Sequence, residues 1–360
     1  MTAISPVHAP DSPAMDALCA ELANRAAEVD RSAAWPREQL QWLAEAGVYR
    51  WFMPAAWGGF DWSETDLIRG YMRLASACLT TTFILTQRSA AVRRIIESEN
   101  ESAKEALLPA LAEGTQFTTV GISHLTTSRR HLAKPVLAAR ETKAGFVLDG
   151  YSPWVTGAPH AETVVVGATL DDGRQILLAM PMSLAGISIP PHAELLGLTA
   201  SHTGPIEFKQ VEIDRSWLLD GPMENVIAAR SGAKTGRLQT SALATGLSAA
   251  AIEFLETETT KRANLANPTA GLRAEHTTLE SDLLALAGGQ AACSSDDVRA
   301  RANSLALRSA QAALAAAKGT GYVSGHPAGR WCREALFFLV WSCPQPVMAA
   351  NLCELAGLSE

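Results

Sequence analysis

The feature that most constrains this chain is a change of periodicity at Gln116 and its reversal after Pro222. Before Gln116, apolar residues recur every three to four positions, the spacing of one helix face. Ala14 to Val29 keeps that spacing, and Leu40, Leu43 and Ala46 share a face of a second helix that Gly47 stops. Ser63 caps a third, which begins Glu64-Thr65-Asp66, with acids placed to favour the helix dipole. Further helices are predicted over 80–97 and 101–112. Phe52-Met-Pro-Ala-Ala-Trp-Gly-Gly59 is a loop punctuated by Pro and Gly.

From Gln116 the segments become short, β-rich and bounded by turn residues: Phe117 to Val120, Lys134 to Arg140, Gly145 to Asp149, Thr163 to Thr169 and Gln175 to Met180. Ile206 to Ile213 alternates apolar and polar side chains, as a half-buried strand does. Together they predict an antiparallel barrel or sandwich of roughly six to eight strands. Helical texture then returns over Gly236–Thr260, Leu272–Ala287, Asp296–Ala317 and Gly329 to about Leu339, enough for an antiparallel four-helix bundle. The expectation is therefore an α+β chain in three parts: an N-terminal helical domain over 1–114, a middle β-domain over 115–222 and a C-terminal helical bundle over 223–360.

Composition narrows the function classes. The chain has 360 residues, of which 48% are hydrophobic, so it can bury a sizeable core. Charged residues make up 19% with a net charge of −7, which gives no reason to expect nucleic acid or an anionic membrane as partner. The longest conspicuous apolar run, Ala335 to Trp341, is far short of a membrane span. The N-terminus shows no basic cluster followed by an apolar run, as a secretory signal would. Six scattered cysteines without a CxxC pair read as free thiols of a cytoplasmic protein, with no metal site.

Five segments carry a resemblance. They are Leu43-Ala-Glu-Ala-Gly-Val-Tyr-Arg-Trp-Phe-Met-Pro-Ala-Ala-Trp-Gly-Gly59; Leu108-Pro-Ala-Leu-Ala-Glu-Gly114; Gly145-Phe-Val-Leu-Asp-Gly-Tyr-Ser-Pro-Trp-Val-Thr-Gly157; Leu196 through Ile213; and Gly319-Thr-Gly-Tyr322 through Arg333-Glu334. In this order, over about 300 residues, they resemble the acyl-CoA dehydrogenase superfamily. The resemblance implies a flavin, FAD or alternatively FMN, seated between β-domain and bundle, and a homodimer or homotetramer. It assigns to the cofactor Trp154, Thr156, Thr126, Val120, Arg262, Gly319 and Gly321. A Trp to stack and a Thr hydroxyl to donate are what a planar, hydrogen-bonding ring requires. The competing reading of Trp154 and Thr156 is a buried hairpin Trp and an ordinary strand Thr. For Arg262 it is an i,i+4 pair with Glu258.

The chain also departs from the family pattern. Where the family has Thr-Glu-Pro-x-x-Gly-Ser-Asp, this sequence reads Val120-Gly-Ile-Ser-His-Leu-Thr-Thr-Ser128. Thr126 then falls on the family's serine, and Ser123 and His124 are new polar groups near the expected flavin edge. A histidine there could exchange protons near neutrality, unless it is a solvent-exposed loop residue. The resemblance places the family's catalytic glutamate at Ser342, and an alternative base position at Gly236. Neither is a carboxylate. Ser123, His124 and Ser342 are thus the candidate catalytic residues. Glu334 reads as a structural pair within the bundle, while His326 and His202 read as loop and strand-end residues.

Three functions compete on this basis. The first is a flavin-dependent oxidoreductase of this superfamily with a non-standard active site, acting on an acyl thioester or another small organic substrate. The second is a flavin-dependent monooxygenase. The third is a non-redox binding or scaffold protein that keeps the fold and holds no cofactor.

Overall fold

The computed structural model describes residues 4–126, 135–229, 235–290 and 293–358. Five helices open the chain: α1 (Pro13–Ser32), α2 (Arg37–Glu45), α3 (Glu64–Ala77), α4 (Leu79–Glu97) and α5 (Glu101–Glu113). Side-chain caps start three of them. Ser12 accepts from the Met15 amide, Ser63 from that of Asp66 and Asn100 from that of Ala103, each satisfying an amide the helix leaves orphaned. Gly114, in left-handed conformation, ends α5. Between α2 and α3 the chain doubles back on itself. A Cβ at Gly59 would sit 1.8 Å from the Met53 carbonyl oxygen, so only glycine fits the turn.

The strands follow: β1 (Thr118–Gly121), the short helix α6 (Ser123–Thr126), β2 (Leu137–Glu141), β3 (Gly145–Val155), β4 (Thr163–Leu170), β5 (Gln175–Pro181), β6 (Ile187–Ser188), β7 (Gly204–Asp214) and β8 (Leu218–Met223). They form one sheet in the order β6-β7-β3-β2-β4-β5-β8, with β1 also paired to β4. The strand predicted from Lys134 begins at Leu137, and Lys134 itself lies outside the described residues. Most pairs are antiparallel as expected. However, β1 and β2 each run parallel to β4, taking successive stretches of the same edge, at Thr118↔Thr163 and Ala138↔Thr169. The connections between these parallel strands are long, so no hairpin turn in the sequence signals the pairing.

Every β4 position from Thr163 to Gly167 is buried, because the strand serves two cores. Val164 and Val166 face an inner core with Phe146, Leu148, Ile176, Leu178, Ile206 and Phe208. Val165 faces the opposite way, toward the large core shared with the helices. Strand alternation delivers both sets from one sequence.

After α7 (Val226–Ala229) come α8 (Thr235–Thr259), α9 (Ala266–Ala287), α10 (Ser295–Gly321), α11 (Pro327–Leu336) and α12 (Gln345–Leu355). Helix α8 packs on α3 and α10. The approach to α3 is so close that a Cβ at Gly246 would lie 2.3 Å from the Met72 carbonyl oxygen. Glycine normally costs a helix interior up to about 1 kcal/mol relative to alanine. Here that cost is offset by backbone-to-backbone packing. Gly246→Ala should therefore destabilise despite its better helix propensity, by a net of about 1–2 kcal/mol. A urea-unfolding midpoint unchanged from wild type would show that α3 and α8 are not held this close.

Candidate active site

A cavity of about 650 Å³ lies where the N-terminal helices, the sheet and the bundle meet. One wall is a stripe of α4, with Phe83, Thr86, Gln87, Ala90 and Arg94. A second comes from the sheet, with Val120, Ile122, Ser123, Trp154 and Thr156. A third comes from the bundle: Gln239 and Thr240 on α8, Arg333 and Leu336 on α11, and Phe337, Val340, Trp341 and Ser342 beyond it. The aromatic corner is tightly built. Phe337 and Trp341 stack at 4.9 Å, and Phe83 meets both edge-on at 4.8 and 4.9 Å.

The local structure explains how Trp154 reaches this space. The β3–β7 register slips between Ser152 and Val155, so Pro153 and Trp154 leave the ladder. Ser152 and Val155 stay fully buried, whereas Trp154 is 55% exposed on the cavity wall. Thr156, just past the strand, begins a chain of hydroxyls. Its Oγ1 lies 2.9 Å from Thr203 Oγ1, which lies 2.8 Å from Ser201 Oγ. Thr156 and Thr203 both face the cavity.

Directly behind these hydroxyls sits a histidine cluster. His202 Nε2 must donate to the Ala33 carbonyl at 3.0 Å, because a carbonyl only accepts. In the neutral ring, Nδ1 of His202 is then the acceptor for His160 Nε2–H at 2.9 Å. His160 stacks on Trp35 at 4.2 Å, and His192 stacks on His202 at 4.1 Å. Burial, His202 and the nearby Arg37 push His160 down to about 4, and burial likewise lowers His202. Among the described residues, no three His, Cys, Asp or Glu side chains converge as metal ligands.

The cavity gathers Val120, Ser123, Trp154, Thr156 and Ser342 from the sequence-derived candidates. Ser342 is exposed there, in left-handed backbone conformation. His124 goes elsewhere. It is buried, with Nε2 2.8 Å from the Gly167 carbonyl on β4, and it does not line the cavity. Both earlier pictures of it, a proton shuttle at the flavin edge and a solvent-exposed loop residue, differ from this placement. The side chain of Thr126 lies outside the described residues, as do those of Thr235 and Arg237 on either side of Gly236.

Arg262, Gly319 and Gly321 also lie away from the cavity lining. Arg262 pairs with Glu258 and donates to the Ala316 carbonyl at 2.6 Å, the i,i+4 arrangement foreseen as the alternative. Gly321 is packed against Ala317 and Leu314 at the end of α10, while Gly319 faces open space. Glu334 is buried beside Arg330 at 3.7 Å, and burial raises its carboxyl to about 7.

The residues that sequence reasoning missed are Phe83, Gln87, Arg94, Thr203, Gln239 and Arg333. Among the described residues lining the cavity there is no Asp, Glu or His. Two arginines are its charged groups, and Arg333 is paired with Asp30.

Comparison with known proteins fits this geometry. The family described as acyl-CoA dehydrogenase, N-terminal domain, matches residues 12–115. A probable acyl-CoA dehydrogenase of Bacillus subtilis, YngJ, is 25% identical over 244 residues, which cover 65% of this chain and 63% of that protein. The bovine mitochondrial short-chain specific acyl-CoA dehydrogenase is 24% identical over 336 residues, covering 88% of this chain and 81% of that protein. The solved structure of butyryl-CoA dehydrogenase from Megasphaera elsdenii superposes with a TM-score of 0.80 at 17% identity, covering 96% of this chain and 98% of that one. Residues 12–115 thus resemble the acyl-CoA dehydrogenase N-terminal domain, and the fold of nearly the whole chain is the one these dehydrogenases have. Those proteins are flavin oxidoreductases, and this chain has their arrangement of helices, sheet and helices. No described helix is long and apolar enough to cross a membrane.

The histidine cluster of this acyl-CoA dehydrogenase relative has a pH consequence. A histidine whose folded pKa is depressed supports the fold above its ordinary value of 6.5. That support is lost as pH falls, because the unfolded chain takes up the proton first. We expect thermal stability to fall between pH 6.5 and about 4, the window set by His160. The decline should be shallower in His160→Gln. Parallel melting curves for the two proteins across that window would contradict a neutral His160.

Proposed function

We propose that this chain is a flavin-dependent oxidoreductase whose substrate cavity lacks the carboxylate base of ordinary acyl-CoA desaturation. The observation that carries the reading is the cavity itself, which presents a half-exposed indole and a hydroxyl chain with no described acid or imidazole on its walls. These residues fit a planar heteroaromatic ring. Trp154 offers a face to stack on, and Thr156 offers an O–H whose direction Thr203 and Ser201 constrain. Flavin bound there would supply two-electron oxidation of the substrate. The aromatic corner of Phe83, Phe337 and Trp341 excludes water from the apolar end of the cavity. Gln87, Gln239 and Thr240 offer neutral hydrogen bonds along its walls.

FAD is the cofactor this reading favours, with FMN as the alternative. The cofactor contacts that the resemblance assigns to Arg262, Gly319 and Gly321 would have to serve a neighbouring subunit's cofactor, since they do not line this chain's cavity. A homodimer or homotetramer in the cytoplasm is part of the same proposal. An acyl thioester remains within the substrate class, alongside other small organic molecules.

The lack of an acid among the described lining residues favours a second reading, in which oxygen takes part and the protein is a monooxygenase. Removing a proton next to a thioester carbonyl needs a positioned base, and neither Ser342 nor Thr156 is basic enough at neutral pH. Chemistry that needs no such abstraction suits this wall better. The visible spectrum of the purified protein tests the shared part of both readings. Absorbance at about 450 nm is expected, as for any oxidised flavin. Trp154→Ala and Thr156→Val should each lower flavin occupancy several-fold with the fold intact. A colourless protein that cannot be reconstituted with FAD or FMN would leave a non-redox scaffold as the better account. With flavin present, rapid reoxidation of the reduced protein by oxygen separates a monooxygenase from a dehydrogenase.

A further inference from the structure

The cavity wall contributed by α4 is graded along its length. Phe83, Gln87, Ala90 and Arg94 recur at helical spacing and all face the cavity. Eleven residues at a rise of 1.5 Å separate the Phe83 and Arg94 backbones by about 16 Å. Phe83 sits in the aromatic corner with Phe337 and Trp341, while Ala90 leaves the stretch between the two ends open.

Arg94 stands apart from Arg333, the other described cation that lines the cavity. Arg333 is held by Asp30 and by the Gly329 carbonyl at 3.2 Å. The Arg94 guanidinium donates Nη1–H to the Ala90 carbonyl at 2.8 Å, and among the described residues no carboxylate closes an ion pair with it. Burial lowers its pKa and the more distant Glu97 opposes the effect, yet a guanidinium stays charged in either case. A half-buried, forked cation facing a cavity with no described acid on its walls is complementary to an oxyanion, which would take two of its N–H groups at once.

We propose that the cavity takes an amphiphilic organic anion, with its apolar or aromatic end against Phe83, Phe337 and Trp341 and its carboxylate or phosphate on Arg94. This rests on the reading of the same cavity as the substrate site. It adds that the anionic group is anchored inside the cavity by α4, with the apolar end about a cavity length away.

The test is calorimetric titration of the protein as purified with ω-phenylalkanoates, from phenylbutyrate to phenyloctanoate, and with the matching neutral amides. The corresponding phenylalkyl phosphates distinguish the two anion sources. We expect the preferred anion to bind about tenfold tighter than its amide, with affinity rising along the series as both ends are reached. Arg94→Gln should abolish the preference while leaving the amide unchanged, and Arg94→Lys, which keeps charge without the fork, should fall between. Equal affinity of anion and amide in the wild type would overturn the proposal without any variant. So would an unchanged preference in Arg94→Gln, or the absence of measurable binding by any anion of the series. If Arg94→Gln loses flavin and keeps anion binding, the guanidinium serves the cofactor and the proposal falls. A colourless wild-type protein that still prefers the anion would sink the flavin reading and leave this one standing.

Discussion

The structure depends on a helix that has almost no solvent side. Helix α4 touches α3, α5, α8, β1 and β4, and nearly every residue from Leu79 to Val92 is buried. Burial on this scale favours partners inside the protein for the polar side chains, and several of them have one. Thr82 returns its hydroxyl to the Cys78 carbonyl at 2.9 Å, and Thr86 to that of Phe83 at 2.7 Å. Arg88, fully buried, lies over the Tyr49 ring at 3.6 Å and caps the Leu111 carbonyl of α5. Through these contacts α4 holds the N-terminal helices, the sheet and the bundle in one arrangement. The cavity is the space left where its last uncovered stripe meets the other two layers.

The same packing explains what could be read from the chain beforehand. Helices with a one-sided apolar stripe and a cap, such as α3 behind Ser63, announce themselves, and so does the alternating strand at Ile206–Ile213. Elements whose existence depends on a partner do not. The two-residue β6 is defined by β7, and β8 carries Gly221-Pro222, which reads as a turn. Helix α12 opens with Pro344-Gln-Pro346, a sequence that signals the end of a helix as readily as the start of one. The parallel neighbours of β4 are set by long-range packing of a strand buried on both faces.

Of the residues that line the cavity, Trp154 and Thr156 were legible because they close a recognisable strand pattern, Gly145 to Gly157. The arginines of α4 were not. Arg88, Arg93 and Arg94 look alike in sequence, yet one is core, one sits over Phe52 near Glu64, and one faces the cavity. Each helical position turns the side chain by about 100°, and that rotation decides which, even between the adjacent Arg93 and Arg94. His124 illustrates the converse. Its residue type suggests proton chemistry, but the Gly167 carbonyl holds its Nε2 inside the sheet layer. Residue type gave the chemistry on offer, and tertiary packing decided whether it was used.

The backbone contact at Gly246 has a further consequence for how such a site changes over generations. With α3 and α8 touching main chain to main chain, neither helix can slide to enlarge or narrow the cavity without breaking the fold. Variation in what the protein accepts is thereby confined to side-chain exchange on a fixed frame. Ala90 is the natural dial. A larger residue there would shorten the space between the aromatic corner and Arg94, a change of cavity length through one codon that leaves the architecture untouched.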